Sequence, residues 1–370
     1  VKIESLYLQD FRNYETLRLD LAPGLNVFVG KNAAGKTNIL EAAYLLSTAR
    51  SHRGSHDAEM VRWGQPGYSA GATVIREALC SVKVGLRYSG EKRRKTAVVE
   101  GLAQPSIGAM LGKLNTVVFS PDDMDLFKGG PSTRRRYIDR QISQIDTVYY
   151  RYLVTYHRVL AQRNALLRDG KSATDEALET WDEQLAEAGA KIIHRRQRVI
   201  SDLDQRAREF HYELAGTPEK LTLAYSPSVK VGYHEEPGMI RSTMAKTLNA
   251  FRRREIARGI TLIGPHRDDI RFCLEGSLVE DFGSQGQRRT TVLSLKLAEV
   301  DLMEAETGER PVLLLDDVAS ELDPTRRELL VRSITGRSQV VLTTTSLEDL
   351  GDLGNDANLF SVRQGQVSGL

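Results

Sequence analysis

Leu17, Leu19 and Leu21 alternate with polar residues before Pro23-Gly24 turns the chain, which predicts a half-buried strand. Leu25-Asn26-Val27-Phe28-Val29 follows as a short apolar run of the kind buried on both faces. Beyond a Gly-containing loop the period changes. Ile39, Leu40, Ala43, Tyr44 and Leu46 recur at helical spacing and predict an amphipathic helix. Strict alternation returns at Cys80, Val82, Val84, Leu86 and Tyr88. With Ser89-Gly90 as a turn and Thr96, Val98 and Glu100 beyond it, this predicts a β-hairpin. Val117-Val118-Phe119 then runs into Ser120-Pro121, a natural boundary.

From Ser132 to about Leu167 the helical stripe Ile138, Ile142, Ile145, Tyr152, Leu153, Tyr156, Leu160 contains no Gly or Pro. A second stripe runs from about Asp175 to Leu214 through Leu178, Trp181, Leu185, Ile192, Ile193, Val199, Leu203 and Phe210. Two such helices joined by a polar loop make an αα-hairpin, each arm on the order of 50 Å long if unbroken. Strands are predicted at 221–225, 259–263 and 270–274, with a basic helix at 239–258 among them. The last hundred residues return to α/β alternation: helix 285–304, strand 312–315, helix 325–334, strand 340–343.

Composition narrows the class without identifying it. The 370 residues, 41% hydrophobic and 27% charged, fit a soluble globular protein of two or three domains, or one large α/β unit with an insertion. No apolar run approaches the roughly 20 residues of a membrane helix, and charge at Lys2 and Glu4 breaks up any signal-peptide pattern. Cys80 and Cys273 are too few for a disulfide framework or a thiolate metal cluster, so a reduced, cytoplasmic location is expected. Net charge is only +2. Arg outnumbers Lys 37 to 14, which suits bidentate phosphate contacts but also follows from codon bias.

Gly30-Lys31-Asn32-Ala33-Ala34-Gly35-Lys36-Thr37 fits the phosphate-loop pattern G-x-x-x-x-G-K-[ST], with an apolar strand before it and a helix after it. Its glycines let successive N–H groups turn inward around a phosphate. Lys36 supplies a cation between β- and γ-phosphates, and the Thr37 hydroxyl is a ligand for Mg²⁺. Such a loop needs a strand-end carboxylate. Val312-Leu313-Leu314-Leu315-Asp316-Asp317 offers two, Asp316 for the metal and Asp317 to polarise an attacking water. Asp317 is one methylene shorter than the Glu more often expected there, which predicts slow hydrolysis. Asp316 lies 280 residues beyond Lys36, too far for a compact phosphate-loop kinase or GTPase without a large insertion.

Ser284-Gln285-Gly286-Gln287 opens the helix before the carboxylate strand. On its own this is an N-cap, but its position resembles the signature motif of ABC-type ATPases. Ser320-Glu321-Leu322-Asp323 resembles their D-loop. More closely, the chain resembles the RecF family of bacterial recombination mediators, relatives of the SMC proteins, over nearly its whole length. The residues carrying this are Leu8-Gln9-Asp10-Phe11-Arg12-Asn13-Tyr14, the loop continued as Thr37-Asn38-Ile39-Leu40-Glu41-Ala42, Ser51-His52-Arg53 and Gly264-Pro265-His266-Arg267-Asp268-Asp269, followed by the signature, carboxylate and D-loop segments. The chain departs from the wider ABC pattern in two further ways. Thr343-Thr344-Thr345 stands where transporters carry a switch His, and Ser120-Pro121-Asp122-Asp123 has no Q-loop Gln. His266 is a structural or interface residue more readily than a catalytic one.

The resemblance implies an α/β fold: a two-lobed ABC-type ATPase head, a phosphate-loop mixed-sheet lobe plus a largely helical lobe with a short αα-hairpin and no long coiled coil. The first lobe takes residues 1–120 and 305–370; the second takes 121–304, with the hairpin at about 132–214 and the signature at 284–287. ATP and Mg²⁺ are the implied cofactors. ATP would be held by Arg12, Gly30, Asn32, Ala33, Ala34, Gly35, Lys36, Thr37 and Asn38 of one chain and by Ser284, Gly286, Gln287 and Asp323 of a second copy. Arg12 has an alternative as an exposed loop cation. Lys36, Asp316 and Asp317 are the catalytic set. The implied function is an ATP-dependent homodimeric clamp on duplex DNA near junctions with single strand, reset by slow, DNA-stimulated hydrolysis. It would act with RecR and RecO to load RecA on gapped DNA. The alternatives are an ATP-gated DNA scaffold in which hydrolysis is incidental, or another ABC-type ATPase subunit.

Charge adds modest support. From Lys128 to Arg168 there are nine Lys or Arg and two acids. This excess either faces DNA or neutralises the acidic start of the next helix (Asp175, Glu176, Glu179, Asp182, Glu183, Glu187). Arg53, Arg134, Arg135 and Arg136 are the named DNA candidates. Backbone recognition with strong salt dependence is expected, since no base-reading motif is visible.

Overall fold

The computed structural model describes residues 1–77, 80–169, 174–216, 218–317, 338–348 and 357–370. They divide into two compact units, one of residues 1–124, 213–216 and 289–370, the other of 125–212 and 217–288. The helix from Gln285 carries residues 289–304 into the first unit, so the division falls before the 304/305 boundary expected from sequence. Among the described residues, no helix is long and apolar enough to cross a membrane.

Among the described residues, the first unit holds two six-stranded sheets. One is antiparallel, in the order β2 (Tyr14–Asp20), β1 (Lys2–Phe11), β4 (Gly67–Arg76), β5 (Cys80–Ser89), β6 (Arg94–Val99), β7 (Leu102–Ala103). The expected hairpin is β5–β6, with Tyr88 opposite Lys95. The other sheet runs β15 (Gln366–Gly369), β14 (Asn358–Arg363), β3 (Leu25–Val29), β13 (Val340–Thr344), β12 (Val312–Asp316), β8 (Thr116–Phe119). All its pairs are parallel except β14–β15. Val27, Phe28, Leu313, Leu314 and Val341 are almost completely buried, as strands covered on both faces require.

Helix α1 (Lys36–Thr48) packs against strands of both sheets. The amphipathic expectation therefore needs correcting: Glu41, Ala42, Leu45 and Ser47 are buried along with the predicted stripe. A helix between two layers has no solvent face to keep polar.

In the second unit, α2 (Asp125–Lys128) leads to α3 (Pro131–Ile145), α4 (Thr147–Asp169) and α5 (Asp175–Ala215). The single arm expected over 132–167 is broken. Asp146 takes extended backbone angles, and its Oδ1 accepts hydrogen bonds from the N–H groups of Val148 (3.0 Å) and Tyr149 (2.9 Å). An aspartate so placed starts a new helix instead of continuing the old one. The hairpin is thus α4 with α5. Arg163 meets Asp182 near the connecting loop and Arg196 meets Tyr149 at the other end, an antiparallel register. Helix α6 (Pro237–Arg258) and the antiparallel sheet β11 (Ser277–Leu278), β10 (Asp269–Leu274), β9 (Leu221–Ser226) complete the unit with α7 (Val279–Phe282).

Residues 259–263 form no strand. Gly259, with φ 65°, ends α6. The N–H groups of Thr261 and Leu262 donate to side chains, Asn164 Oδ1 and Glu255 Oε1, both at 2.8 Å. Those two donors are then not available to a β ladder. Helix α8 (Gln285–Thr307) starts at the signature residues. The helix expected at 325–334 lies outside the described residues.

Candidate functional site

Sheet order places the chemistry. Strand β13 separates β3, which ends in the phosphate loop, from β12, which ends in Asp316. Thr343 pairs with Phe28 on one side and Asp316 on the other. The Thr37 hydroxyl donates to Asp316 Oδ1 at 2.9 Å, across 279 residues of sequence, and the Thr343 hydroxyl donates to the same oxygen at 2.8 Å. Thr343 Oγ1 also accepts from the Asp317 N–H at 3.0 Å. Where a transporter would place a histidine, this chain uses a hydroxyl to fix both adjacent aspartates. Asp317 adopts φ 53°, a left-handed angle that Asp enters more readily than most residues.

The loop is braced from outside. Gly35 has φ 116°, and a Cβ there would lie 2.6 Å from Asn13 Nδ2. At Gly30 a Cβ would lie 2.3 Å from the carbonyl oxygen of Val362. Both positions therefore require glycine. Asn13 Nδ2 donates to Ala34 O (3.1 Å), Tyr14 OH to Gly35 O (3.0 Å), Asn38 Nδ2 to Asn13 Oδ1 (2.8 Å), and the Gly365 N–H to Ala34 O (3.1 Å). Lys36 folds over its own loop, its Nζ donating to Gly30 O (2.5 Å) and Lys31 O (3.1 Å). Burial lowers its pKa, while Asp317 and Asp316 oppose the shift.

Arg12, with φ 55°, lies on the wall of the same cavity but is tightly engaged. Its Nε and Nη2 donate to Glu41 Oε2 (2.8 Å) and Oε1 (2.7 Å), and Nη2 also reaches Ser55 Oγ (2.6 Å). Glu41 is fully buried. Burial pushes its pKa up, but hydrogen bonds from Arg12 and Ser51 outweigh this and hold it below the usual value. The exposed-loop alternative for Arg12 does not describe this bidentate pair.

The loop opens on a cavity of about 1060 Å³ in the first unit, whose lining includes Arg12 and Asn13 but not Gly30, Tyr14 or Glu41. Asn32, Ala33, Ala34, Gly35, Lys36, Thr37, Asn38, Asp316, Asp317 and Thr343 are on it, as is exposed Arg53, one of the DNA candidates. Three further contributors were not anticipated: Trp63, almost fully exposed at the rim, the Gln364-Gly365-Gln366 turn, and Thr343 as a buried anchor. Asn13 and Tyr14 were visible within the N-terminal motif. Gly365 carries no local signal, because its partner Ala34 lies over 300 residues away. A hydroxyl and a carboxylate oxygen converging beside a phosphate loop are the hard oxygen donors that Mg²⁺ takes, so the residues present fit that ion.

In the second unit, the exposed Ser284 makes a reciprocal cap on α8. Its Oγ accepts from the Gln287 N–H (3.2 Å), and its own N–H donates to Gln287 Oε1 (2.9 Å). Gly286 is exposed beside it. Asp323 and the rest of the segment Ser320-Glu321-Leu322-Asp323 lie outside the described residues. Arg134, expected among the DNA contacts, is instead buried, with the Nε–Nη2 edge of its guanidinium on the two oxygens of Asp269 (2.8 Å each) and Nη1 on Gly129 O (3.2 Å). Arg135 is half-buried and Arg136 exposed. Ser120-Pro121-Asp122-Asp123, the segment without a Gln, is a structural tie: Asp123 pairs with buried Lys296 at 3.1 Å. His266 accepts from Tyr156 OH through Nδ1 (2.7 Å) and donates from Nε2 to Thr261 O (3.2 Å), a structural role.

The sequence model of the RecF/RecN/SMC N terminal domain family matches residues 2–367. The DNA replication and repair protein RecF of Bacillus pumilus (strain SAFR-032) is 41% identical over 369 residues, covering 99% of both chains. The protein of that name from Symbiobacterium thermophilum is 44% identical, covering 99% of this chain and 97% of its own. A solved structure of the recombination mediator protein RecF with ATP, from the RecFOR pathway, superposes with a TM-score of 0.92 at 36% identity, covering 100% of this chain and 99% of that one. An SMC head domain from Pyrococcus furiosus, at TM-score 0.56 and 17% identity, shares the fold.

Proposed function

The chain belongs to the RecF family of the RecF/RecN/SMC group, and from that premise we propose that it is an ATP-dependent DNA-binding recombination mediator. ATP joins two copies into a clamp on duplex DNA near single-strand junctions, and slow, DNA-stimulated hydrolysis reopens it. RecR and RecO are its partners in helping RecA load at gaps, in the cytoplasm. The observation that carries this reading is the convergence of Thr37 and Thr343 on one oxygen of Asp316 beside Lys36.

Each chain residue has a definable task. Lys36 exchanges its two loop carbonyls for phosphate oxygens, a stronger, charge-assisted set of partners. Thr37 and Asp316 would hold Mg²⁺, which when bound would neutralise charge on the phosphates. Asp317 orients the attacking water, with its main chain fixed by Thr343. The γ-phosphate needs donors on the side away from the loop, and Ser284, Gly286 and Gln287 of a second copy supply them. Binding energy shared across two chains makes nucleotide a condition of dimerisation.

Sedimentation with and without a non-hydrolysable ATP analogue tests this. The expected result is monomer alone and dimer with the analogue, with ATP-dependent retention on plain duplex DNA. Self-association indifferent to nucleotide sinks the proposal. The scaffold alternative draws on the short Asp317 side chain. Asp317→Asn separates the two: it abolishes release from DNA if hydrolysis drives the clamp, and barely alters repair if hydrolysis is incidental.

A further inference from the structure

The sequence left open whether the basic stretch from Lys128 to Arg168 is spent on ion pairs. In the second unit both of its acids are consumed. Asp139 is gripped by Arg196 through Nε and Nη2, each at 2.9 Å, and Asp146 pairs with Arg195 at 3.1 Å. The acidic start of α5 is met mainly by Arg163, Arg252 and Arg241. Among the described residues, no carboxylate lies within ion-pair distance of Arg135, Arg136, Arg151 or Arg158. The positive excess therefore survives folding, and exposed Arg136, Arg151 and Arg158 carry it along α3 and α4.

Arg135 and Arg136 open on a cavity of about 190 Å³, walled also by Ser132, His157 and the Pro265-His266 turn. The turn is fixed from behind: Arg196 Nη1 donates to Pro265 O at 2.8 Å, and both nitrogens of His266 are committed. Burial takes the His266 pKa down to about 4, so the ring is a neutral wall near pH 7. Arg135 is anchored by one bond, Nη1 to Asp268 O at 2.5 Å. Among the residues lining the cavity, Arg135, Arg136 and Arg196 face one carboxylate, Asp139, a lining charge of +2, while Asp268 and Asp269 act on Arg135 from outside the lining. Burial and repulsion from Arg196 destabilise the charged form of Arg135, which an anion placed there relieves.

We propose that this cavity seats a phosphate of the nucleic-acid backbone, with Arg135 and Arg136 as its ligands and the Pro265-His266 turn as its wall. This rests on the reading of the protein as DNA-binding and gives that motif a role the nucleotide site does not. Exposed Arg151 and Arg158 lie on another face of α4, about 100° or more round the helix from His157, so they do not line the cavity but add the longer-range attraction that favours a polyanion over an isolated phosphorylated side chain.

The test is the double variant Arg135→Ala/Arg136→Ala of the full chain, titrated with a fluorescent duplex oligonucleotide in the presence of a non-hydrolysable ATP analogue. Analogue binding and thermal melting serve as controls for folding. Affinity for DNA is expected to fall about 10- to 100-fold, and the slope of log affinity against log salt to shrink by about two. Analogue binding should stay unchanged. Arg135→Lys/Arg136→Lys should recover the slope, since charge remains. A double Ala variant that folds and keeps wild-type affinity and slope overturns the inference, as does a loss confined to binding an acidic or phosphorylated peptide. If the wild type itself does not bind duplex DNA, it is the broader function that has failed.

Discussion

Thr343 shows how much of this site is decided by single hydroxyls. It touches Asp316 through one hydrogen bond and fixes the main chain of Asp317 through another. Thr343→Val keeps the shape and removes both. Nucleotide binding should survive within a few-fold, whereas phosphate release measured at steady state should fall roughly 10- to 100-fold, as when a ligand's support is lost. Gly30→Ala is a different kind of lesion, because its methyl meets a backbone carbonyl that cannot swing aside. It should cost about 1–3 kcal/mol in denaturant unfolding and weaken nucleotide binding. Glu41 sets a pH dependence. Its folded pKa lies below the ordinary 4.5, so its contribution is fully present above that value and is lost as pH falls through the lower, folded one. Stability of the wild type should decline below about pH 4.5 more steeply than that of Glu41→Gln. The loop, Asp316 and Asp317 were legible in the sequence because each is a contiguous run of diagnostic residue types. Thr343 and the Arg12–Glu41 pair were not, because their meaning depends on which strands and helices become neighbours.

At the scale of elements, charged side chains decide what apolar spacing could not. The stripe through 132–167 matches a helix on both sides of Asp146, so periodicity alone predicts one rod; a single carboxylate divides it. Asp146→Ala should cost about 1–2 kcal/mol, partly restored by Asn, which caps equally well but loses Arg195. Arg163 has the larger role. Fully buried, it donates to Asp182 (2.6 Å), Thr261 (2.8 Å) and Glu255 (2.7 Å), tying α4 to α5 and α6. Arg163→Ala leaves Glu255 buried without its cation and should cost about 3–5 kcal/mol, read as a lowered unfolding midpoint. The basic triplet illustrates the same point. Three consecutive arginines look alike in sequence, yet helical rotation of about 100° per residue points one inward, one along the surface and one outward. Among the described residues, only Arg134 of the three pairs with a carboxylate, the partly exposed Asp269.

For the whole molecule, the decisive prediction concerns copies. Ser284→Arg adds bulk and charge at an exposed helix start that makes only a local cap within one chain. Single-chain nucleotide binding should persist, and nucleotide-dependent dimerisation should disappear from sedimentation profiles. The distance between phosphate loop and carboxylate calls for a large insertion, and nothing in the sequence marks the division within α8, since a continuous helix shows no break in pattern. That same distance bears on how the protein is made. A ribosome adding about 5–20 residues per second finishes Thr37 some 15–55 s before it reaches Asp316. Throughout that interval β3 has neither of its final neighbours, β13 and β14. The nascent first unit must therefore wait as an apolar, half-built sheet while the inserted unit emerges whole, a natural client for chaperones until the last strands arrive.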